Sequence, residues 1–142
     1  MALAFEMHKE KKFQLVHCRS YVASLIGLRL KLQENIPFVF DMRGLWADER
    51  IEGDIWRKSN ILHRFAYAYF KNKEKLFLAN CDALISLTEN GAKHLSRIFP
   101  GIPVKEKTTV IPCCADLELF LPLPQGNVPS LPIKEKDHVL LY

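Results

Sequence analysis

Four polar clusters in this 142-residue chain carry residue types that do chemistry: His17-Cys18-Arg19-Ser20, Asp41-Met42-Arg43-Gly44 running on to Glu49 and Arg50, Thr88-Glu89, and Cys113-Cys114-Ala115-Asp116. Arg19 and Arg43 supply guanidinium groups, which meet phosphate with paired donors and stay charged. Asp41 ends an otherwise apolar run, so a buried or half-buried carboxylate there needs partners. His17 offers a neutral or protonated imidazole.

Each cluster follows a short apolar run, at residues 13–16, 38–40, 83–87 and 109–111, and long helical stretches separate the runs. A strand that recurs after every helix predicts a parallel sheet, because parallel neighbours need a crossover of a dozen or more residues. Open sheets of that kind bind ligands beyond the carboxyl ends of their strands. The expected fold is therefore α/β, a doubly wound parallel sheet with most of the chemistry at one edge.

Ser20 is the expected N-cap of a buried helix over 21–32, which Asn35 and Pro37 end. Gly44 is expected to turn the chain off the second strand with positive φ. Residues 45–53 have no clear period and predict a loop or a short turn of helix. A long amphipathic helix is predicted over 55–78, its core face built from Leu62, Phe65, Ala66, Tyr69, Phe70, Leu76 and Phe77 at three- and four-residue spacing. Thr88 caps a further helix over 89–99, which Glu89 supports electrostatically and Pro100, Gly101 and Pro103 stop. One helical turn is expected at 116–120.

With 49% hydrophobic and 25% charged residues the composition is that of a globular domain. No run approaches the roughly 20 apolar residues a membrane span requires. Glu6, His8, Glu10 and three lysines interrupt the first twelve residues, so a signal core is not indicated and a cytoplasmic location is expected. The four cysteines lack Cys-x-x-Cys spacing and paired histidines, which argues against a zinc site or a disulfide framework. Reduced, mostly buried thiols follow, with Cys113 and Cys114 as small packing residues and no histidine to make either a nucleophile. No Gly-x-Gly-x-x-Gly marks an ordinary dinucleotide site. The net charge of +4 favours anionic partners weakly, and no nucleic-acid motif is present. Its densest part, 57–75, sets six cations against a single acid, Glu74; that face is either solvated or rests peripherally on anionic lipid.

Four of the eight prolines fall within 121–132 beside Gly126, Asn127 and Ser130, which describes an extended linker. The apolar His138-Val139-Leu140-Leu141-Tyr142 after it reads as a strand without its partners. The expected organisation is a partial domain over 1–120, a Pro-rich linker over 121–137 and the first strand of a further domain over 138–142, so that the chain reads as a fragment.

The segments HCRSYVASLIGLRLK, PFVFDMRGLWADER, CDALISLTENGAKHL and VIPCCADLELF together resemble the amino-terminal domain of the glycogen-synthase-like, family 4 glycosyltransferases of GT-B fold, over roughly residues 13–120. The resemblance implies a retaining, metal-independent sugar transferase of two Rossmann-like domains, the acceptor on the first and the nucleotide sugar, a co-substrate, chiefly on the second. The chain departs from the family at both ends: the glycine-rich loop of the usual first strand is absent, and of the donor domain only 138–142 is represented. Many members place a histidine near the position of Arg43, and its role does not carry over to an arginine.

Such a transfer must stabilise a diphosphate leaving group and hold an acceptor hydroxyl near the anomeric carbon. Arg43 is the candidate catalytic residue. His17, Arg19, Asp41 and Glu49 are candidates for acceptor or phosphate binding, and Cys113 and Asp116 for a hinge. The bland alternatives are that either arginine clamps Asp41, Asp48 or Glu49, that Asp41 only braces a loop, that His17 is structural, and that Asp48 and Arg50 are solvated. The expected partners are a carbohydrate or lipid-linked acceptor and a nucleotide sugar. The rival reading is a noncatalytic interaction module, or one half of a split transferase.

Overall fold

The computed structural model describes residues 2–114 and 116. Four strands, β1 (Val16–Arg19), β2 (Phe38–Asp41), β3 (Ala83–Ser86) and β4 (Thr108–Val110), form one sheet in sequential order, every neighbouring pair parallel. Among the described residues six helices accompany them: α1 (Ala2–Lys11), α2 (Ser20–Glu34), α3 (Trp46–Glu52), α4 (Ile61–Asn80), α5 (Glu89–Ile98) and α6 (Val104–Lys107). The expected α/β parallel architecture is thus present, as a partial Rossmann-like domain. The linker over 121–137, the strand over 138–142 and the helical turn at 117–120 lie outside the described residues.

Alternation along the strands separates two faces. Cys18, Phe38, Phe40 and Leu84 turn into the core with Tyr21 and Leu28 of α2 and Phe77 and Leu78 of α4. Tyr21, Phe40 and Phe77 meet with ring centroids 5.2 to 6.0 Å apart, in tilted and edge-on geometries that aromatic quadrupoles favour. Gly27 lets α2 lie close on this face, since a Cβ there would stand 2.6 Å from both Cys18 Sγ and the Phe38 ring. His17, Arg19, Val39, Asp41, Ala83 and Ile85 alternate onto the other face.

Several local expectations need correction. The first strand begins at Val16, three residues later than its apolar run, because its pairing starts at Val16↔Phe38 and Val16 N donates to Pro37 O. Phe13 instead packs against His8 at the end of α1, a helix with no buried residue and so no apolar pattern to announce it. Ser20 caps nothing: Arg19 holds the N-cap position of α2 and Ser20, with φ 68°, is already its first residue. The long helix starts at Ile61 rather than 55, where Asn60 Oδ1 accepts from Leu62 N at 2.9 Å and His63 N at 3.4 Å. Its core face holds Phe77, Leu78 and Glu74, whereas Leu62, Phe65 and Tyr69 are exposed. Thr88 does cap α5, accepting from Gly91 N at 3.0 Å, and 46–52 does form a short helix.

Candidate functional site

The carboxyl edge of the sheet brings the first two clusters together. Register places Arg19 level with Asp41, and His17 one diagonal step away, on the same face. His17 Nε2 stands 3.5 Å from Asp41 Oδ2, an ion pair when the imidazole is protonated. Asp41 is buried, and its Oδ1 accepts no hydrogen bond among the described residues. Buried carboxylate oxygens are almost always satisfied, so an open one at a strand end calls for a partner.

Neither arginine forms the clamp that would have explained it structurally. Among the described residues Asp41 is approached by His17, while Asp48 accepts from Tyr67 at 2.7 Å and from Lys71 at 2.8 Å. Arg19 stands exposed at the end of β1, and Arg43 is half-buried beyond the end of β2. Arg43 adopts φ 63°, so the left-handed residue of this turn is Arg43 and not the expected Gly44. With Ser20 it makes two non-glycine residues in that conformation just past adjacent strand ends. Such backbone costs of order 1–3 kcal/mol and tends to collect at functional sites. Gly44 marks a close approach instead: a Cβ there would meet Glu49 Oε1, so the carboxylate of Glu49 lies against the turn that carries Arg43.

The remaining candidates sit apart. Thr88 and Glu89 open α5, where Ser86 Oγ donates to Thr88 O at 2.9 Å and finishes the turn. Cys113 and Cys114 follow β4 and are exposed, which corrects their expected role as packing residues; only Cys18 and Cys81 are buried thiols, and burial pushes Cys81 up to about 11. Asp116 is exposed.

Two arrangements were not foreseen. Arg50, expected in solvent, lays its guanidinium 4.4 Å over the Trp46 ring. Behind α3 runs a polar chain through the helices: Tyr21 donates to Glu74, which accepts from Lys71 at 2.5 Å, and Lys71 also reaches Asp48, the acceptor of Tyr67. Its sequence signal was the isolation of Glu74 as the single acid in a basic run. A cavity of about 730 Å³ lies between α3 and the first half of α4, away from Asp41, lined in part by Ile51, Ile61, Phe65, Lys58 and Arg64. Among the described residues no group of three His, Cys, Asp or Glu side chains is placed to hold a metal ion.

A parallel sheet with an open carboxylate and two unclamped arginines at its carboxyl edge suits a ligand rich in hydroxyl and phosphate oxygens. The model of glycosyltransferase family 4 matches residues 1–119. The chain belongs to glycosyltransferase family 4. For this glycosyltransferase domain, membership implies sugar-containing substrates in general. No curated protein matches the chain.

Proposed function

We propose that this family 4 domain is the acceptor side of a retaining, metal-independent glycosyltransferase of the glycogen-synthase-like, GT-B type. It would move a sugar from a nucleotide-sugar donor to a hydroxyl of a carbohydrate or lipid-linked acceptor. The observation that carries the reading is Asp41 Oδ1, buried at the end of β2 without a donor among the described residues and bordered by Arg19 and Arg43. An acceptor hydroxyl supplies the missing donor and relieves the cost of a buried unpaired oxygen.

In the transfer the anomeric carbon loses its bond to the diphosphate oxygen and gains one to the acceptor oxygen, whose proton passes to the departing diphosphate. Arg43 opposes the negative charge that grows on the diphosphate. Asp41 orients the acceptor hydroxyl, while His17, Arg19 and Glu49 hold further hydroxyl or phosphate oxygens. Cys113 and Asp116, beyond β4, belong to the hinge with a second domain that binds most of the nucleotide sugar.

Glycan-array probing and calorimetry on the chain test the assignment. Oligosaccharide binding that Asp41→Asn abolishes without lowering the melting temperature is expected, with only weak binding of UDP- and GDP-sugars. A low-micromolar dissociation constant for a nucleotide sugar would move the donor site onto this domain and overturn the acceptor-side reading. Glycan binding indifferent to Asp41→Asn would remove Asp41 from the site.

A further inference from the structure

Glu74 follows Phe65 by nine residues on α4, which is two and a half turns at about 3.6 residues per turn, so the two point to opposite sides of the helix. Glu74 is fully buried, while Phe65 is 68% exposed. Ile61, Leu62 and Tyr69 share the outward side and are 62%, 72% and 49% exposed. The first half of α4 thus carries its apolar strip away from the sheet, and none of the described residues covers it.

Cations flank the strip. Lys58 and Arg64 line the cavity between α3 and α4 together with Ile61 and Phe65, and Lys73 holds Nζ 5.4 Å over the Tyr69 ring. Of the two acids in that lining, Asp48 pairs with Lys71, which it shares with Glu74, and Glu52 has no ion pair among the described residues. No helix among the described residues is long and apolar enough to cross a membrane. An apolar strip bordered by lysine and arginine has the pattern of a helix lying in the plane of a bilayer interface, its rings at the acyl boundary and its cations at the phosphates.

We propose that the first half of α4 docks the protein onto an anionic lipid bilayer, with Ile61, Leu62, Phe65 and Tyr69 entering the interface between Lys58, Arg64 and Lys73. The surface lies apart from the Asp41 edge, and the proposal stands whether or not that edge binds an acceptor.

Co-sedimentation of the full chain with vesicles tests it, comparing phosphatidylcholine alone with phosphatidylcholine containing phosphatidylglycerol. The chain pellets with the mixed vesicles, remains in solution with the neutral ones, and is released by raised salt; this series needs no variant. The double variant Leu62→Ser with Phe65→Ser lowers partitioning by about tenfold or more, since two large apolar side chains leave the interface. Arg64→Ala and Lys73→Ala each lower it about fivefold, the fold-change that corresponds to ~1 kcal/mol per cation. All four side chains lie outside the core, so the variants keep the wild-type melting temperature. Binding to neither vesicle, equal binding to both, or full binding by the double variant would overturn the proposal. A dimer in sedimentation equilibrium that the double variant dissociates would overturn it in favour of a second copy of the chain.

Discussion

The phenol of Tyr21 on α2 donates its proton to Glu74 on α4, 53 residues further along, and neither side chain reaches solvent. The bond couples two of the helices that pack on the sheet, and Lys71 extends it to Asp48 on α3. Glu74→Ala leaves the buried phenol without its acceptor and Lys71 with Asp48 as its remaining partner, and should cost about 1–3 kcal/mol for the stranded hydroxyl. Tyr21→Phe keeps the Lys71 pair and should cost about 1–3 kcal/mol. Urea unfolding of both variants and of the double variant measures the coupling, and strictly additive losses would show that the bond contributes nothing.

Alkaline pH should weaken the same network. Burial, with Glu74 beside it, raises the pKa of Tyr21; burial lowers that of Lys71, but the hydrogen bonds it donates to Asp48 and Glu74 outweigh this and the net shift is upward. Both groups hold their protons more tightly when folded, so above about pH 10 the unfolded chain releases protons first and stability falls as pH rises. Asp82 sets the opposite limit. Burial raises its pKa, yet Lys31 and the amide of Phe38 lower it further, so its contribution is present above the usual carboxylate range and fades as pH falls. Melting temperatures across pH should show both declines. Tyr21→Phe should flatten the alkaline one and Asp82→Asn the acid one.

Arg43 joins a charge and a left-handed backbone in one residue, and two variants separate them. Arg43→Ala and Arg43→Gly both remove the guanidinium, but only glycine relaxes φ 63°. Arg43→Gly should be the more stable of the two by about 1 kcal/mol. In sugar-transfer assays of the two-domain enzyme both should lose on the order of 100-fold in kcat, as for removal of one transition-state donor. Normal turnover in both would take Arg43 out of the site.

Gly44→Ala probes Glu49. The added methyl must push the flexible carboxylate aside while the backbone keeps an ordinary φ, so the melting temperature should change little. If Glu49 holds substrate, KM should rise while stability stays. A KM indistinguishable from wild type would leave Glu49 as a bystander.

The four thiols should fall into two classes. Cys113 and Cys114 are exposed, whereas Cys18 and Cys81 are buried with raised pKa values and little thiolate at neutral pH. A disulfide reagent at pH 8 should modify two thiols quickly and the other two only on unfolding. Four fast thiols would mean that α2 and α4 open readily over the sheet.

The recurrence of apolar runs after helical stretches was enough to infer the parallel sheet, since crossover length restricts how such strands can pair. Thr88 as a cap and Asn35 before Pro37 as a stop were legible for the same reason: their chemistry acts within one turn of the chain. So was the polarity of the edge carrying Asp41 and Arg43, because the apolar run at 38–40 gives way directly to charged residues.

What lay beyond local rules was decided by packing. The start of β1 depends on Pro37 and Phe38, which lie more than twenty residues away, so the apolar run at 13–16 pointed three residues too early. On α4 the residues at helical spacing formed a true apolar stripe, but only the second half of the helix meets α2 and the sheet, and there Phe77 and Leu78 are buried with Glu74. Periodicity tells which side of a helix is apolar, not whether a neighbour stands there to cover it. Residue types alone supplied the candidates and the family supplied the class of reaction. That Asp41 keeps an oxygen without a donor while Asp48, seven residues on, is fully engaged was decided by the tertiary structure, because a carboxylate's partners are set by where helices pack and not by its neighbours in sequence.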